Sequence, residues 1–170
     1  MGSNKNLVFL GMMGSGKTTL GKIVSKKLNK EFIDIDQLIE IQEGMTISDI
    51  FQKKGESFFR KFEERISIQN LKKSNSVISL GGGAFINKNI RKMVLKYGIS
   101  FWLSWNKSTI INRIFNSKKR PLTKNLNEKK LKQLIYDRNI FYKKANYQIN
   151  CDNLNKTQIA DKIIEIYEKL

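Results

Sequence analysis

The chain has 170 residues, 40% of them hydrophobic, and sets 32 basic side chains against 15 acidic ones for a formal charge of +17. That length fits one domain with one sizeable core, and the absence of histidine, with Cys151 as the single cysteine, excludes disulfides, zinc fingers, histidine general bases and Cys/His dyads. With no run of about 18 apolar residues and a start too polar for a signal peptide, the expected setting is the cytoplasm, with no membrane partner.

Asn6 to Leu10 is a short apolar strand that runs into glycines, and the spacing of Leu20, Ile23, Val24 and Leu28 predicts a helix over 16–28. A second strand follows at Glu31 to Asp34 and a helix at Gln37 to Gln42. Thr46-Ile47-Ser48-Asp49 opens a further helix with a capping-box pattern; Gly55 closes it, and a longer helix continues to about Leu71. Val77 to Leu80 is a third strand, Asn89 to Tyr97 a helix, and Ser100 to Leu103 a fourth strand. Then come a helix at Lys107 to Phe115, a basic stretch from Asn116 to Pro121, a helix from about Asn127 to Lys144, a strand at Tyr147 to Asn150 and a final helix. Apolar strands alternating with helices predict a three-layer α/β/α fold on a central five-stranded parallel sheet, with ligands at the carboxyl edge of the strands.

Gly11-Met12-Met13-Gly14-Ser15-Gly16-Lys17-Thr18 fits the phosphate-loop pattern G-x-x-x-x-G-K-[ST] after a strand and before a helix. Glycines there let successive N–H groups wrap a polyphosphate, the helix N-terminus adds positive charge, Lys17 reaches the β- and γ-phosphates, and the Thr18 hydroxyl ligates Mg²⁺. The expected ligand is a nucleoside triphosphate held by Gly14, Ser15, Gly16, Lys17, Thr18 and Thr19. Asp34-Ile35-Asp36 ends the second strand. Alternation along a strand sets its two carboxylates on one face, suited to holding Mg²⁺ and accepting a hydroxyl proton, although Asp36 can also serve as a helix N-cap. Gly81-Gly82-Gly83 follows the third strand; a tight turn needs one or two glycines, so three point to a very close approach to the backbone. The lysines are scattered over almost every helix with no nucleic-acid motif beside them, so the charge reads as a solvated surface and no specific nucleic-acid partner is expected.

Together with Ser48-Asp49-Ile50-Phe51, Gly55-Glu56-Ser57-Phe58-Phe59-Arg60-Lys61-Phe62-Glu63, Leu80-Gly81-Gly82-Gly83-Ala84, Arg120-Pro121-Leu122 and Arg138-Asn139-Ile140-Phe141-Tyr142, these motifs make the chain resemble shikimate kinase over essentially its whole length. The resemblance implies a single P-loop kinase domain over 1–170 that phosphorylates the 3-hydroxyl of shikimate with ATP and Mg²⁺ to give shikimate 3-phosphate in aromatic amino-acid biosynthesis; the expected state is a monomer. It implies substrate-binding helices over about 34–62, with Arg60 and Arg138 gripping the shikimate carboxylate and Phe51 and Phe59 walling the ring. Asp36 binds hydroxyls and acts as base, Gly81, Gly82 and Gly83 donate N–H groups, and Asp34 orients Mg²⁺ through water. It further implies a mobile lid over about 114–126 that carries Arg120 onto the transferring phosphoryl group, and Arg113 stacked on adenine.

Of the 32 basic residues only six are arginine, and four of the six, Arg60, Arg113, Arg120 and Arg138, fall on the functional positions of the resemblance. A planar fork that binds a carboxylate or phosphate through two donors is not replaced by a lysine. Arg65 and Arg91 read as ordinary helix surface, and Glu63, one turn from Arg60, as its orienting partner. One departure is clear: the family's proline after the fifth strand is missing from Ile149-Asn150-Cys151-Asp152-Asn153, and either Asn150 or Asp152 can take the place of its aspartate. A related P-loop kinase acting on another hydroxy acid, such as gluconate, is the alternative activity.

Overall fold

The computed structural model describes residues 4–116 and 127–170. β1 (Asn6–Leu10) leads into helix α1 (Lys17–Leu28), then β2 (Glu31–Asp34), α2 (Ile35–Glu43), α3 (Ile47–Leu71), β3 (Ser76–Ser79) and a 3₁₀ turn at Ala84–Ile86. The second half runs α4 (Lys88–Tyr97), β4 (Gly98–Ser104), α5 (Lys107–Phe115), α6 (Glu128–Tyr142), β5 (Tyr147–Asn150) and α7 (Lys156–Glu168). The five strands pair in parallel in the order β2-β3-β1-β4-β5. This is the three-layer α/β/α architecture expected from the alternation of short apolar strands and helices.

Alternation inside the strands builds two cores. Leu7 and Phe9 of β1 pack with Val77, Phe101 and Ile149 beneath α1 and α7, whose Leu20, Val24, Ile159 and Ile163 close that side. Val8 and Leu10 point the other way, into a larger cluster with Ile78, Leu80 and residues of α2 to α6. All five residues of β1 are buried, as a strand covered on both faces requires.

Caps fix where the helices begin. Thr46 accepts a hydrogen bond from the Asp49 N–H (3.2 Å) and donates to the Asp49 carboxylate (2.7 Å), which starts α3. Gly55 then breaks α3 with φ 80° and ψ 165°, a conformation other residues adopt only under strain, so the predicted stop of one helix and start of the next is present as a kink that divides α3 into two helical segments. Asn155 and Gln158 form a complete capping box at α7.

One expectation is corrected here. The strand alternation assumed for Asp34 and Asp36 stops at Asp34, which is the N-cap of α2 and accepts from the N–H groups of Asp36 (3.1 Å) and Gln37 (3.3 Å). Asp34, not Asp36, is the capping residue, and Asp36 lies in the first helical turn. A short carboxylate at a strand end satisfies orphan helix donors better than it extends the strand, so the chain turns two residues earlier than the pattern predicts.

Candidate active site

The strands end in a cleft of about 710 Å³ at the carboxyl edge of the sheet. Its floor is the β1–α1 loop. Gly11, Gly14 and Gly16 there have φ of 145°, 82° and 91°, left-handed or otherwise glycine-favoured values that turn backbone N–H groups inward. Gly16 starts α1 with no side-chain cap and no acidic residue in the first turn, so the helix N-terminus keeps its positive end open to an anion. Lys17 Nζ donates to the carbonyls of Gly11 (2.9 Å) and Met12 (3.0 Å), folded across the loop it serves. Gly14, Gly16, Lys17, Thr18 and Thr19 all line the cleft, whereas Ser15 is fully buried beneath them with no hydrogen-bond partner for its hydroxyl.

Thr18 Oγ1 donates to Asp34 Oδ2 at 2.6 Å, bringing together a hydroxyl and a carboxylate on two different elements. Among the described residues no three His, Cys, Asp or Glu side chains gather as a metal cluster. Two hard oxygen donors next to a phosphate loop fit Mg²⁺, which keeps most of its waters and takes few protein ligands.

The opposite wall explains the three glycines. A Cβ on Gly81 would lie 2.6 Å from Asp36 Oδ1 and 2.6 Å from Glu63 Oε1, one on Gly82 would lie 3.2 Å from Arg138 Nη1, and one on Gly83 would lie 2.7 Å from Arg60 Nη1. None of the three needs a positive φ. Each missing side chain is therefore the space taken by a charged group, which refines the close approach expected from the sequence into three specific approaches.

Arg60 donates to Glu63 Oε2 at 2.8 Å and to Glu56 Oε1 at 3.3 and 3.2 Å, with its guanidinium carbon 5.1 Å from the Phe59 ring centroid and 5.9 Å from that of Phe51. Those two rings pack 4.7 Å apart. Phe51 precedes the break at Gly55 and Phe59 follows it, so the bend in α3 lets both face one cleft. Arg138 of α6 reaches the same place with its Nε buried and unpartnered, and its Nη1 lies 3.8 Å from the Met12 sulfur. Buried cationic donors without a full set of acceptors suit an anionic ligand.

Burial raises the Asp36 pKa to about 6, with Glu63, Asp34 and Glu40 pushing the same way and Lys17 opposing them. Burial also pushes Glu63 upward, against the pull of Arg60 and Arg138. A carboxyl held near 6 is ionised at neutral pH yet basic enough to take a proton.

Several partners were not legible from residue types. The Tyr142 hydroxyl donates to the Gly82 carbonyl and so holds the glycine run; its place four residues after Arg138, on the same helix face, is the only signal the sequence gives. Arg91, read as surface, donates from Nη1 to the carbonyls of Phe85 and Ile86 (2.9 Å each) and so grips the turn that follows the glycines. Arg113 does not line the cleft; its guanidinium carbon stands 3.7 Å from the Trp105 ring centroid and it donates to the Gly14 carbonyl at 3.3 Å. Asp152 accepts from the Asn106 N–H (2.8 Å) and the Thr109 hydroxyl (3.2 Å), tying the β5 loop to the start of α5. Arg120 and most of the proposed lid lie outside the described residues.

Comparison with known proteins follows the same line. A family model described as Shikimate kinase matches residues 13–168. A shikimate kinase of a Sulfurihydrogenibium species is 43% identical over 160 residues, 94% of this chain and 96% of the relative, and one of Thermodesulfovibrio yellowstonii is 40% identical over 167 residues, 98% of this chain and 96% of the relative. The solved shikimate kinase from Acinetobacter baumannii in complex with shikimate superposes with a TM-score of 0.91 at 32% identity, covering 96% of this chain and 93% of that one. Its phosphate loop, its glycine wall and these likenesses along nearly its entire length place the chain in the shikimate kinase family.

Proposed function

We propose that this cleft transfers the γ-phosphoryl group of Mg-ATP to the 3-hydroxyl of shikimate, giving shikimate 3-phosphate and ADP. The observation that carries the reading is the convergence of Asp36, Arg138 and Arg60 on three successive glycines, in the same cleft as Lys17 and Thr18. An acceptor lying on that glycine backbone meets a base, two carboxylate-binding forks and the phosphate loop together.

The roles follow from chemistry and position. Amide N–H groups of the loop and Lys17 bind the β- and γ-phosphates, and Thr18 and Asp34 are the residues that would hold Mg²⁺. Bound there, Mg²⁺ offsets the charge of the phosphates. Arg60 and Arg138 take the shikimate carboxylate, Phe51 and Phe59 wall the ring, and N–H groups of Gly81 to Gly83 bind hydroxyls. Asp36 accepts the proton of the 3-hydroxyl as its oxygen bonds to phosphorus and the bond to the β–γ bridging oxygen breaks. Most of the acceleration comes from positioning and charge stabilisation, as in phosphoryl transfer generally. In this reading residues 34–62 carry the substrate-binding helices, 114–126 form a lid that brings Arg120 to the transferred group, and the chain acts as a single-domain monomer in the cytoplasm. Among the described residues no helix is long and apolar enough to cross a membrane.

A coupled ADP-release assay tests the proposal, with shikimate, gluconate or no acceptor. ADP release that depends on shikimate is expected. Release no faster with shikimate than without it overturns the reading, and release driven by gluconate instead reassigns the acceptor.

A further inference from the structure

Trp105 lies between the end of β4 and the start of α5, and the sequence assigns it nothing. Its indole Nε1 donates to the Ser15 carbonyl at 3.0 Å, inside the phosphate loop. The ring is half-buried and packs against both hydrophobic cores, which holds it from two sides. On it rests the guanidinium of Arg113, its carbon 3.7 Å from the ring centroid, while Nη1 of the same group bonds the Gly14 carbonyl at 3.3 Å. Of the arginines stacked on rings among the described residues this is the tightest, the others lying at 4.5 to 5.9 Å.

Alone, an exposed arginine on a short helix samples many rotamers. Here two contacts, one to an anchored ring and one to a loop carbonyl, fix the plane of the guanidinium. A planar cation has two faces; the indole covers one, and Arg113 is exposed. The face turned away from the indole is a flat electron-poor platform beside Gly14 and Ser15, suited to stacking an aromatic base. We propose that Trp105 is a positioning residue for the nucleotide base, acting through Arg113: it presents the guanidinium plane on which the purine of ATP stacks, on a chain whose β5 loop offers no proline to press the base from the other side.

This rests on the reading of the loop as an ATP site, and the test separates the two. Dissociation constants are measured on the full chain by calorimetry for ATP and for inorganic tripolyphosphate, which has the phosphates and no base. Trp105→Met, which fills the core but lacks a ring, is expected to weaken ATP about three- to tenfold, the range of an exposed to partly buried cation–π contact. Trp105→Phe weakens it by a smaller factor. Neither changes tripolyphosphate binding or the KM for shikimate, and in an Arg113→Ala background neither adds to the loss. Equal weakening of ATP and tripolyphosphate means that Trp105 only braces the loop through Ser15, and overturns the inference. So does a loss that adds to that of Arg113→Ala, or unchanged ATP binding. Should Trp105→Met fail to fold, Trp105→Phe decides by whether its loss of ATP affinity vanishes in the Arg113→Ala background. A parent chain that binds neither ligand removes the ATP reading and this inference with it.

Discussion

Replacing Asp36 by asparagine removes a charge that the folded chain holds at a cost. The carboxyl ionises at about 6 in the fold against 3.8 for an unperturbed group, chiefly through burial. A difference of about two pKa units corresponds to about 3 kcal/mol, and because the group opens into a cleft that water enters, about 1–3 kcal/mol is the working range. The sign is set by linkage: a carboxyl whose folded pKa is raised contributes its full stability below pH 4, where it is protonated in both states, and loses it as pH rises through 6. The neutral amide of Asp36→Asn has no such loss. The variant's advantage over the parent should therefore be greater at pH 8 than at pH 4 by about 1–3 kcal/mol, a relative gain of several degrees in Tm for a chain of this size. Thermal melts of both proteins at pH 4, 5, 6, 7 and 8, without nucleotide or Mg²⁺, measure it. A stability difference that is flat across this range would refute the assignment of Asp36 as a carboxyl held out of water. The same substitution removes the base, so the stabilised protein should lose about 10²- to 10⁴-fold in turnover, and the parent's kcat/KM for shikimate should fall about tenfold per pH unit below 6.

Arg138→Ala is expected to raise the KM for shikimate at least tenfold while that for ATP stays within about twofold; equal losses for both substrates would count against a carboxylate-binding role. Gly81→Ala, whose Cβ would lie 2.6 Å from two carboxylate oxygens, should impair shikimate use more than Gly82→Ala, whose nearest neighbour is the end of Arg138 at 3.2 Å. Both should still fold and bind ATP, as circular dichroism and calorimetry will show. Thr18→Val keeps the shape of the residue but not the hydroxyl on Asp34, so the Mg²⁺ concentration for half-maximal rate should rise several-fold in a metal titration, with shikimate binding unchanged.

The features legible in the sequence are those set by near neighbours in the chain. The phosphate loop is continuous, with its glycines, lysine and threonine within eight residues of one another, so a local pattern was enough. The parallel sheet was legible because β1 is apolar on both faces, which only a doubly covered strand can be. Asp36 shows where local reasoning stops. Strand alternation put it in the cleft, and it is in the cleft, but it arrives from the first turn of α2 because Asp34 caps that helix. Which of two competing local structures a short carboxylate selects depends on the donors that need it. Tyr142 and Trp105 were out of reach for another reason: their partners, the Gly82 and Ser15 carbonyls, are 60 and 90 residues away, and nothing in residue type announces a bond to a carbonyl.

The arginines argue the same point from the other side. In a chain that prefers lysine so strongly, three of the five described arginines, Arg60, Arg113 and Arg138, make contacts that need more than charge. Arg60 spans Glu56 and Glu63 while lying over two rings, Arg91 reaches two successive carbonyls from one nitrogen while its guanidinium lies 5.4 Å from the Phe141 ring centroid, and Arg113 lies against an indole. Arg138 brings a buried Nε and Nη1 to the glycine wall, and Arg65, outside the cleft, lies 4.5 Å over Phe62. A lysine in place of Arg60, Arg113 or Arg138 could keep the net charge but not the plane that stacks or the fork that bonds in two directions, whereas the single nitrogen of Arg91 and the ring contact of Arg65 have lysine counterparts in Lys17 on two carbonyls and Lys54 over Phe58. The reading of Arg91 as ordinary helix surface missed its bonds to the Phe85 and Ile86 carbonyls, which lie in the turn after the glycines and outside its own helix. Arg60 and Arg138 line the cleft and Arg113 stands beside its phosphate loop, so the described arginines whose geometry more than charge is under constraint gather at the candidate site.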